Sequence, residues 1–239
     1  MVEEKRKRIL HRAWRFVKRT LGKTTDVYFI SGMCYNCSVF DDIELPKGYK
    51  KKYIEWLIPH AEESLEAYAH RMSESINTKR KFILVGYSLG GVVAEEIAYQ
   101  LHPKKIVLIS TMKDEKEIPS LFHMAAKVNF ANNIPMRMYK QTDFMIKLFN
   151  RYVYNLPISA LEGYMTVTDP IYIKWALHQI TNWKPKRQLS SLYHIHGTKD
   201  QIFPHEQIIN PISIKGGDHL MVIKRAKEIS EILKSIMLK

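Results

Sequence analysis

The sequence predicts an α/β fold, in which a mainly parallel sheet of about six strands has helices on both faces and carries a helical insertion. Short apolar runs alternate with segments whose apolar residues recur at helical spacing, which is the order expected of βαβ units. One long segment without a strand pattern interrupts this alternation. The chain has 239 residues and is 46% hydrophobic, so it is long enough to bury the core of one such domain.

Six short apolar runs are predicted as strands because turn or charged residues bound each of them. In chain order they are residues 27–30, 52–57, 81–85, 105–110, 192–196 and 211–214. Helical spacing of apolar residues predicts helices at 62–76, 92–101 and 221–237. Most of the strand runs are continuously apolar rather than alternating, which favours a parallel sheet that is covered on both faces.

The segment without strands, residues 112–188, is predicted to be an inserted helical subdomain, since a structureless loop of that length is improbable in a compact domain. The chain then divides into an arm (1–25), a core (26–111 and 189–239) and this insertion. Several apolar side chains of the insertion could line a substrate pocket, although we expect most of them to form the insertion's own core. They are Phe122, Met124, Phe130, Met136, Met138, Met145 and Trp175.

Positive charge is concentrated in the amino-terminal arm. The net charge is +13, and residues 1–25, with nine basic and two acidic residues, contribute +7 of it. This distribution weakens the case for a uniformly basic nucleic-acid-binding protein, and no base-reading motif accompanies the charge. Residues 8–21 separate on a helical wheel into a basic face and an apolar stripe. The stripe consists of Ile9, Leu10, Ala13, Trp14, Phe16, Val17 and Leu21.

Three interpretations of the arm remain open. We favour packing of the apolar stripe on the body of the protein. Self-association or a partner helix comes next, followed by contact with an anionic membrane surface, which suits a basic face opposite Trp and Phe. No apolar run approaches the roughly 18 residues of a transmembrane span. The two cysteines cannot form a disulfide framework, so a cytoplasmic location is predicted.

Gly86-Tyr87-Ser88-Leu89-Gly90 matches the pattern G-x-S-x-G. The motif follows a predicted strand and precedes a predicted helix, where a sharp turn presents the serine hydroxyl at the edge of the sheet. A serine hydroxyl is a weak nucleophile until a base accepts its proton. The motif therefore predicts a nucleophilic serine and requires a histidine and a carboxylate elsewhere in the chain. The alternative is a glycine-rich turn without chemistry.

Asp200 and His219 are the candidates for the carboxylate and the base. Each follows a predicted strand, as Ser88 does, and the carboxyl ends of parallel strands meet at one edge of a sheet. Asp114, which lies just past the fourth predicted strand, is an alternative carboxylate. Three further residues are assigned to loop structure: Asp218, His196 and His205.

These three motifs, in the order Ser, Asp, His, resemble those of the α/β-hydrolase fold family over about residues 26–239. The resemblance implies that Ser88 is the nucleophile, Asp200 the acid and His219 the base. It also implies a helical cap at 112–188, where the strandless segment falls. The sheet would lack the first two strands of the full family pattern, because nothing before residue 26 has a strand pattern.

The resemblance further implies two backbone N–H donors for an oxyanion. Leu89, which follows the nucleophile, would supply one. The loop after the first strand would supply the other, and relatives carry His-Gly before the donating residue there. This chain has Ser31-Gly32-Met33, so the Met33 N–H is the expected donor and Cys34 the alternative.

Cys34 and Cys37 form a C-x-x-C motif, which we interpret as coincidence. A metal site would require a second pair of ligands, and the sequence offers none at a suitable spacing. A redox role would require the motif to lie in a thioredoxin-like βαβ unit.

The sequence thus predicts a serine hydrolase that cleaves a carboxylic ester or thioester through an acyl-enzyme intermediate, with no cofactor and no metal. Lyase or acyltransferase chemistry on the same residues is an alternative, as is a catalytically silent binding protein. The surplus of positive charge is compatible with an anionic substrate or an acidic acyl-carrier protein.

Overall fold

A computed structural model of the chain describes residues 24–140, 161, 163–186 and 189–239. The predicted amphipathic helix of the arm and Met145 of the insertion lie outside the described residues.

The described residues contain one sheet of six parallel strands in the order β2-β1-β3-β4-β5-β6. The strands are β1 Thr25–Ile30, β2 Tyr49–Tyr53, β3 Phe82–Tyr87, β4 Lys105–Ile109, β5 Leu192–Gly197 and β6 Ile212–Ile214. Strands β3 and β4 are buried along their whole length, as their continuous apolar sequences predict. The predicted fold class is confirmed.

The prediction for the second strand is wrong in position, because β2 covers Tyr49–Tyr53 and not residues 52–57. The apolar residues that suggested the later position leave the sheet to make other contacts. The indole of Trp56 donates a hydrogen bond to Ser31 Oγ at 2.9 Å, and the Leu57 N–H donates to the Tyr68 hydroxyl at 2.9 Å. Strand β2 lies at the edge of the sheet, where lysines are common because they discourage pairing with other chains.

The helices around the sheet differ from the sequence prediction mainly at their ends. They are α1 Leu65–Ser73, α2 Leu89–Leu101, α3 Ser120–Lys127, α4 Phe130–Asn133, α5 Met136–Tyr139, α6 Pro170–Asn182, α7 Met221–Lys224 and α8 Ala226–Leu238. Helix α1 begins later than predicted because the Ser64 side chain caps it by accepting from the Ala67 N–H. The single helix predicted at 221–237 is two helices, since Arg225 has φ −127° and ψ 30°, outside the helical region.

The described residues between β4 and β5 contain four α-helices, the short 3-10 helix Glu115–Glu117 and no strand. Helices α3, α4 and α5 pack against α6, which begins at the Asp169 N-cap and Pro170. The expectation that most of the apolar residues here form the insertion's own core does not hold for Trp175, whose ring is buried against Tyr68 of α1 with 4.1 Å between ring centroids. It is also wrong for three others, which are exposed because nothing in the described structure covers them: Met124, Phe130 and Met136. The division into core and cap stays a prediction.

Two tryptophans attach α6 and the residues after it to the helices beside the sheet. The Trp175 indole N–H donates to the Glu63 carbonyl at 2.7 Å, just before α1. The Trp183 indole N–H donates to Glu96 Oε1 on α2 at 3.1 Å, and Lys186 Nζ lies 2.9 Å from Glu96 Oε2. Among the described helices, none is long and apolar enough to cross a membrane.

Candidate active site

Ser88 lies on a sharp turn between β3 and α2. Its backbone has φ 53° and ψ −125°, a conformation that is rare for a residue other than glycine. The turn is held from both sides, because the Ser88 N–H donates to the Ile109 carbonyl at 3.0 Å and the Gly91 N–H donates to the Ser88 carbonyl at 2.8 Å. Strained backbone of this kind is typical of a functional turn.

Two glycines of the motif are required by close packing at this turn. A Cβ atom at Gly86 would lie 2.4 Å from the Gly90 carbonyl oxygen, and one at Gly90 would lie 2.2 Å from the Ser31 carbonyl oxygen. Both contacts involve backbone, which cannot move aside as a flexible side chain can. The glycines therefore let the start of α2 approach both β3 and the loop that follows β1.

The structure brings Ser88, His219 and Asp200 together in one hydrogen-bonded chain. His219 Nε2 lies 3.1 Å from Ser88 Oγ, and His219 Nδ1 lies 2.9 Å from Asp200 Oδ2. An ionised carboxylate can only accept, so Nδ1 carries the proton that faces Asp200. In a neutral imidazole, Nε2 is then the acceptor for the Ser88 hydroxyl. All three side chains are less than a tenth exposed.

Asp200 is oriented by its own loop as well as by His219. The N–H groups of Ile202 and Phe203 both donate to Asp200 Oδ1, at 2.9 and 3.1 Å. Burial by itself would raise the pKa of Asp200, but the charge of His219 and the hydrogen bond from it lower that pKa below its usual value. Asp200 thus remains a carboxylate at neutral pH, in spite of its burial.

Aromatic rings cover the imidazole of His219. The ring centroids of Tyr87 and Phe203 lie 5.3 and 5.7 Å from that of His219. Phe122 of α3 packs edge-on against Phe203, with 5.7 Å between centroids. These rings limit the access of water to the hydrogen bond between His219 and Asp200, and they bring the segment between β4 and β5 into contact with the site.

The alternative acid, Asp114, makes a different contact. Its side chain caps the short 3-10 helix Glu115–Glu117 by accepting from the Lys116 N–H at 3.0 Å. Asp218, beside His219, forms an ion pair with Lys224, and His205 lies 2.8 Å from Ser213 Oγ. These contacts agree with the loop roles that the sequence suggests for Asp218 and His205.

His196 lies beneath Asp200 and is completely buried. Its Nε2 donates to the Phe203 carbonyl at 2.8 Å, so it supports the turn whose N–H groups hold Asp200. Burial lowers the pKa of His196 and thus favours the neutral ring, although Asp200 opposes this effect. His196 therefore stabilises the loop that carries the candidate acid.

The loop after β1 lies directly beside the serine. A Cβ atom at Gly32 would lie 3.3 Å from the Ser88 Cβ. The Tyr35 N–H donates to the Gly32 carbonyl at 3.0 Å, which closes a turn whose third residue, Cys34, has φ 68°. Met33 is the second residue of this turn, and it follows the glycine that touches Ser88. We call residues 32–35 the oxyanion turn, after the backbone donor that is predicted at Met33.

Sequence reasoning missed two residues that hold the oxyanion turn. The Trp56 indole N–H donates to Ser31 Oγ, and Ser31 Oγ donates to the Tyr35 carbonyl at 2.6 Å. On the other side, Asn36 bonds to Gly163, Tyr164 and Thr166. Asparagine before a short helix is a capping signal, but nothing in the sequence indicates a partner that lies so far along the chain. Ser31 thus contributes to the turn although the family pattern has His at this position.

Both cysteines are free thiols and both are buried. Burial raises the pKa of Cys34 to about 12, and burial together with Glu55 raises the pKa of Cys37 to about 12. A reactive cysteine needs a lowered pKa, so neither thiol has the environment of a nucleophile. The described residues contain no cluster of side chains suited to holding a metal ion.

A cavity of about 400 Å³ lies away from this site, between the loops that precede β3 and β4. Its lining includes Lys79, Arg80, Lys81 and Lys104, all of them exposed. It adjoins the amino ends of the two strands, whereas Ser88 follows the carboxyl end of β3. This cavity is therefore separate from the three hydrogen-bonded residues.

No protein-family model and no curated protein sequence matches the chain. Solved structures do resemble it. A candidate lipase from Acinetobacter baumannii AYE has a TM-score of 0.69 at 15% identity, over 91% of this chain and 84% of that one. ClbQ from the colibactin NRPS/PKS pathway has a TM-score of 0.63 at 15% identity, over 90% and 97%. A thermophilic esterase from Thermogutta terrifontis has a TM-score of 0.57 at 16% identity, over 90% of each chain.

Identities of 15 to 16% establish the architecture and not the activity. The sheet order, the strained serine turn and these structural neighbours agree on one architecture. The chain has the α/β-hydrolase fold.

Proposed function

We propose that the protein is a serine hydrolase that cleaves a carboxylic ester or thioester through an acyl-enzyme intermediate. The observation that carries the proposal is the hydrogen-bonded chain from Ser88 to His219 to Asp200, with contacts of 3.1 and 2.9 Å. Candidate nucleophile, base and acid are within hydrogen-bonding distance in the order that acyl transfer requires.

In the first half of the reaction, Ser88 Oγ attacks the acyl carbon while its proton passes to His219 Nε2. Asp200 holds the tautomer of His219 that accepts at Nε2 and stabilises the imidazolium that forms. Collapse of the tetrahedral intermediate then breaks the bond to the alcohol or thiol, and His219 returns the proton to that leaving group. Water activated by His219 attacks the acyl-enzyme in the second half and releases the acid.

The negative charge on the tetrahedral intermediate needs preorganised donors. We assign this role to the backbone N–H groups of Leu89 and Met33. Leu89 is the first residue of α2, so its N–H belongs to the positive end of that helix. Met33 follows Gly32, which packs against Ser88. Both assignments depend on backbone, so the absence of the family's His-Gly pair does not remove the donor.

Residues 112–188 would act as a cap over this site. The packing of Phe122 against Phe203, next to His219, supports such a role. The likeness to an esterase and to ClbQ, which comes from an NRPS/PKS pathway, keeps both esters and thioesters in the proposal. An acidic acyl-carrier protein as partner would suit the net charge of +13, and two free thiols suit a cytoplasmic location.

A panel of acyl esters and acyl thioesters of increasing chain length tests the proposal, with release of the free acid as the readout. We expect turnover of at least one member by the unchanged protein and none by Ser88→Ala. Acyl transfer to an added alcohol or amine in preference to water would favour the acyltransferase alternative. Binding of an ester without any turnover would favour the silent binding protein.

A further inference from the structure

Asn36 connects the oxyanion turn to the chain between β4 and β5. Its backbone N–H donates to the Tyr164 carbonyl at 2.8 Å, and its side-chain Nδ2 donates to the Gly163 carbonyl and to Thr166 Oγ1, both at 3.0 Å. The Val167 N–H returns a fourth bond of 3.1 Å to the Cys34 carbonyl. Four hydrogen bonds thus join two segments that lie far apart in the sequence.

The side chain of Asn36 also bonds within its own segment, where Asn36 Oδ1 accepts from the Ser38 hydroxyl as well as from the Ser38 N–H. Asn36 Oδ1 accepts from the Ser38 N–H at 2.9 Å and so caps the short 3-10 helix Cys37–Phe40. The amide therefore has two separable tasks, because Oδ1 caps the helix while Nδ2 binds the distant segment. A residue that supplies only an oxygen would retain the first task and lose the second.

Residues 163–167 are themselves held in place. They lead into Asp169, which caps α6, and α6 is fixed to α1 by the bond of Trp175 to the Glu63 carbonyl. The oxyanion turn therefore has a firm support on the side of Asn36. Trp56 and Ser31 support its other side.

We propose that Asn36 is a positioning residue for the oxyanion donor. It fastens the oxyanion turn to residues 163–167, so that the segment between β4 and β5 sets the position of the Met33 N–H relative to Ser88. This inference rests on the proposed function, since it concerns the charge that develops when Ser88 attacks a carbonyl. Asn36 acts through the backbone of the turn and not through contact with the substrate.

The central test is Asn36→Ser, which retains an oxygen that can cap Ser38 and removes the Nδ2 donor. Complete loss of an oxyanion donor lowers kcat by about 10²–10³-fold, and displacement of the donor should lower kcat by a smaller factor. We expect kcat to fall about tenfold or more while KM stays within twofold. A kcat within twofold of that of the unchanged protein would overturn the proposal.

A double-mutant cycle separates this role from general destabilisation. Thr166→Val removes one acceptor of Nδ2 and should lower kcat less than Asn36→Ser does. The kcat of the double variant should be no lower than that of Asn36→Ser alone, because both changes break the same contact. If the two losses in kcat add in the double variant, Asn36 and Thr166 do not act through one shared contact. Asn132→Ala is the matched control, since its side chain bonds only to the neighbouring Asn129 in the described structure, and it should leave kcat unchanged.

Amide hydrogen exchange provides a readout that does not need activity. In Asn36→Ser, we expect the amides of residues 33–36 and 164–167 to exchange at least about tenfold faster, with β1 unchanged. Unchanged exchange at 33–36, or faster exchange throughout β1, would overturn the proposal. If the unchanged protein turns over no ester, the proposed function fails, and with it the oxyanion role. The exchange rates then decide whether Asn36 joins the two segments.

Discussion

The carboxyl edge of the sheet and helix α3, which belongs to the segment between β4 and β5, differ in how deeply their side chains are buried. At the sheet edge, Ser88, Asp200 and His219 are 8%, 5% and 2% exposed. In the segment, α3 has no buried residue, and Leu121 and Met124 are 69% and 63% exposed. The difference indicates that the proposed chemistry depends on a close-packed frame, whereas the neighbouring surface tolerates change.

The two regions nevertheless meet at a few specific contacts. Phe122 reaches Phe203 beside His219, and Asn36 reaches residues 163–167 beside the oxyanion turn. The segment that carries the exposed helix α3 can therefore still influence the site if these contacts are intact. Four comparisons of variants test this contrast, in order of decreasing effect.

The largest effect is expected from Ser88→Ala, which removes the proposed nucleophile. Loss of a member of such a triad typically lowers kcat by 10⁴-fold or more, so we expect turnover of the best ester to fall by at least about 10⁴-fold. Ser75→Ala is a suitable control, because its hydroxyl bonds only to the Met72 carbonyl within the described structure. Steady-state kinetics measure both variants. Turnover by Ser88→Ala above a hundredth of the original rate would contradict the assignment.

Gly90→Ala should strongly destabilise the fold, because its Cβ would lie 2.2 and 2.3 Å from two backbone carbonyl oxygens. We expect a loss of about 2 kcal/mol or more in the free energy of unfolding, since backbone must move. Gly163→Ala is the matched control in the segment, where a new Cβ meets nothing within 4 Å. Its free energy of unfolding should change by less than about 0.5 kcal/mol. Denaturant titration of both variants is the measurement. Equal losses in the free energy of unfolding would mean that the two positions do not differ in packing.

Two methionines compare side-chain packing on α1, which lies beside the sheet, with packing on α3. Met72 on α1 is 2% exposed, and Met72→Ala should cost about 2–5 kcal/mol because it leaves a cavity in the core. Met124 on α3 is 63% exposed, and Met124→Ala should change the free energy of unfolding by less than about 0.5 kcal/mol. A loss of more than 1 kcal/mol for Met124→Ala would mean that another part of the chain covers α3 in solution.

The smallest effect concerns acid stability. The pKa of Asp200 is lower in the folded protein than in the unfolded chain, so its ionised form contributes stability that is present above the unfolded pKa of about 3.9. That contribution is lost as the pH falls through the folded pKa. We therefore expect the free energy of unfolding to fall less steeply with decreasing pH below about 4 in Asp200→Asn than in the unchanged protein.

Urea titrations at a series of pH values between neutrality and the acid limit would measure the difference. A parallel pH dependence in the two proteins would mean that His219 does not hold Asp200 in its charged form.

Much of the fold and of the candidate site could be predicted from local patterns. The apolar runs of β1, β3, β4 and β5 are distinct because both faces of these strands are buried. Ser88, Asp200 and His219 each follow such a strand, so the rule that parallel strands end at one edge places them together. In the structure, His219 lies within hydrogen-bonding distance of both Ser88 and Asp200, in agreement with that inference.

The features that sequence could not predict depend on contacts between distant residues. Strand β2 is short and rich in lysine, so its position is set by pairing with β1 and not by its own pattern. Trp56 reaches Ser31, and Asn36 reaches residues 163–166, through hydrogen bonds between individual polar groups, which leave no periodic signal. The exposure of Met124 is also invisible in a sequence whose apolar spacing is helical.

The most direct test of the central claim is covalent labelling by a fluorophosphonate, followed by mass spectrometry of the peptides. We expect one phosphonyl adduct, on the peptide that contains Ser88, and its loss in Ser88→Ala and in His219→Ala. Ser75→Ala should label as the unchanged protein does. A folded, unchanged protein that takes up no probe, or an adduct on a different residue, would contradict the claim that His219 and Asp200 activate Ser88.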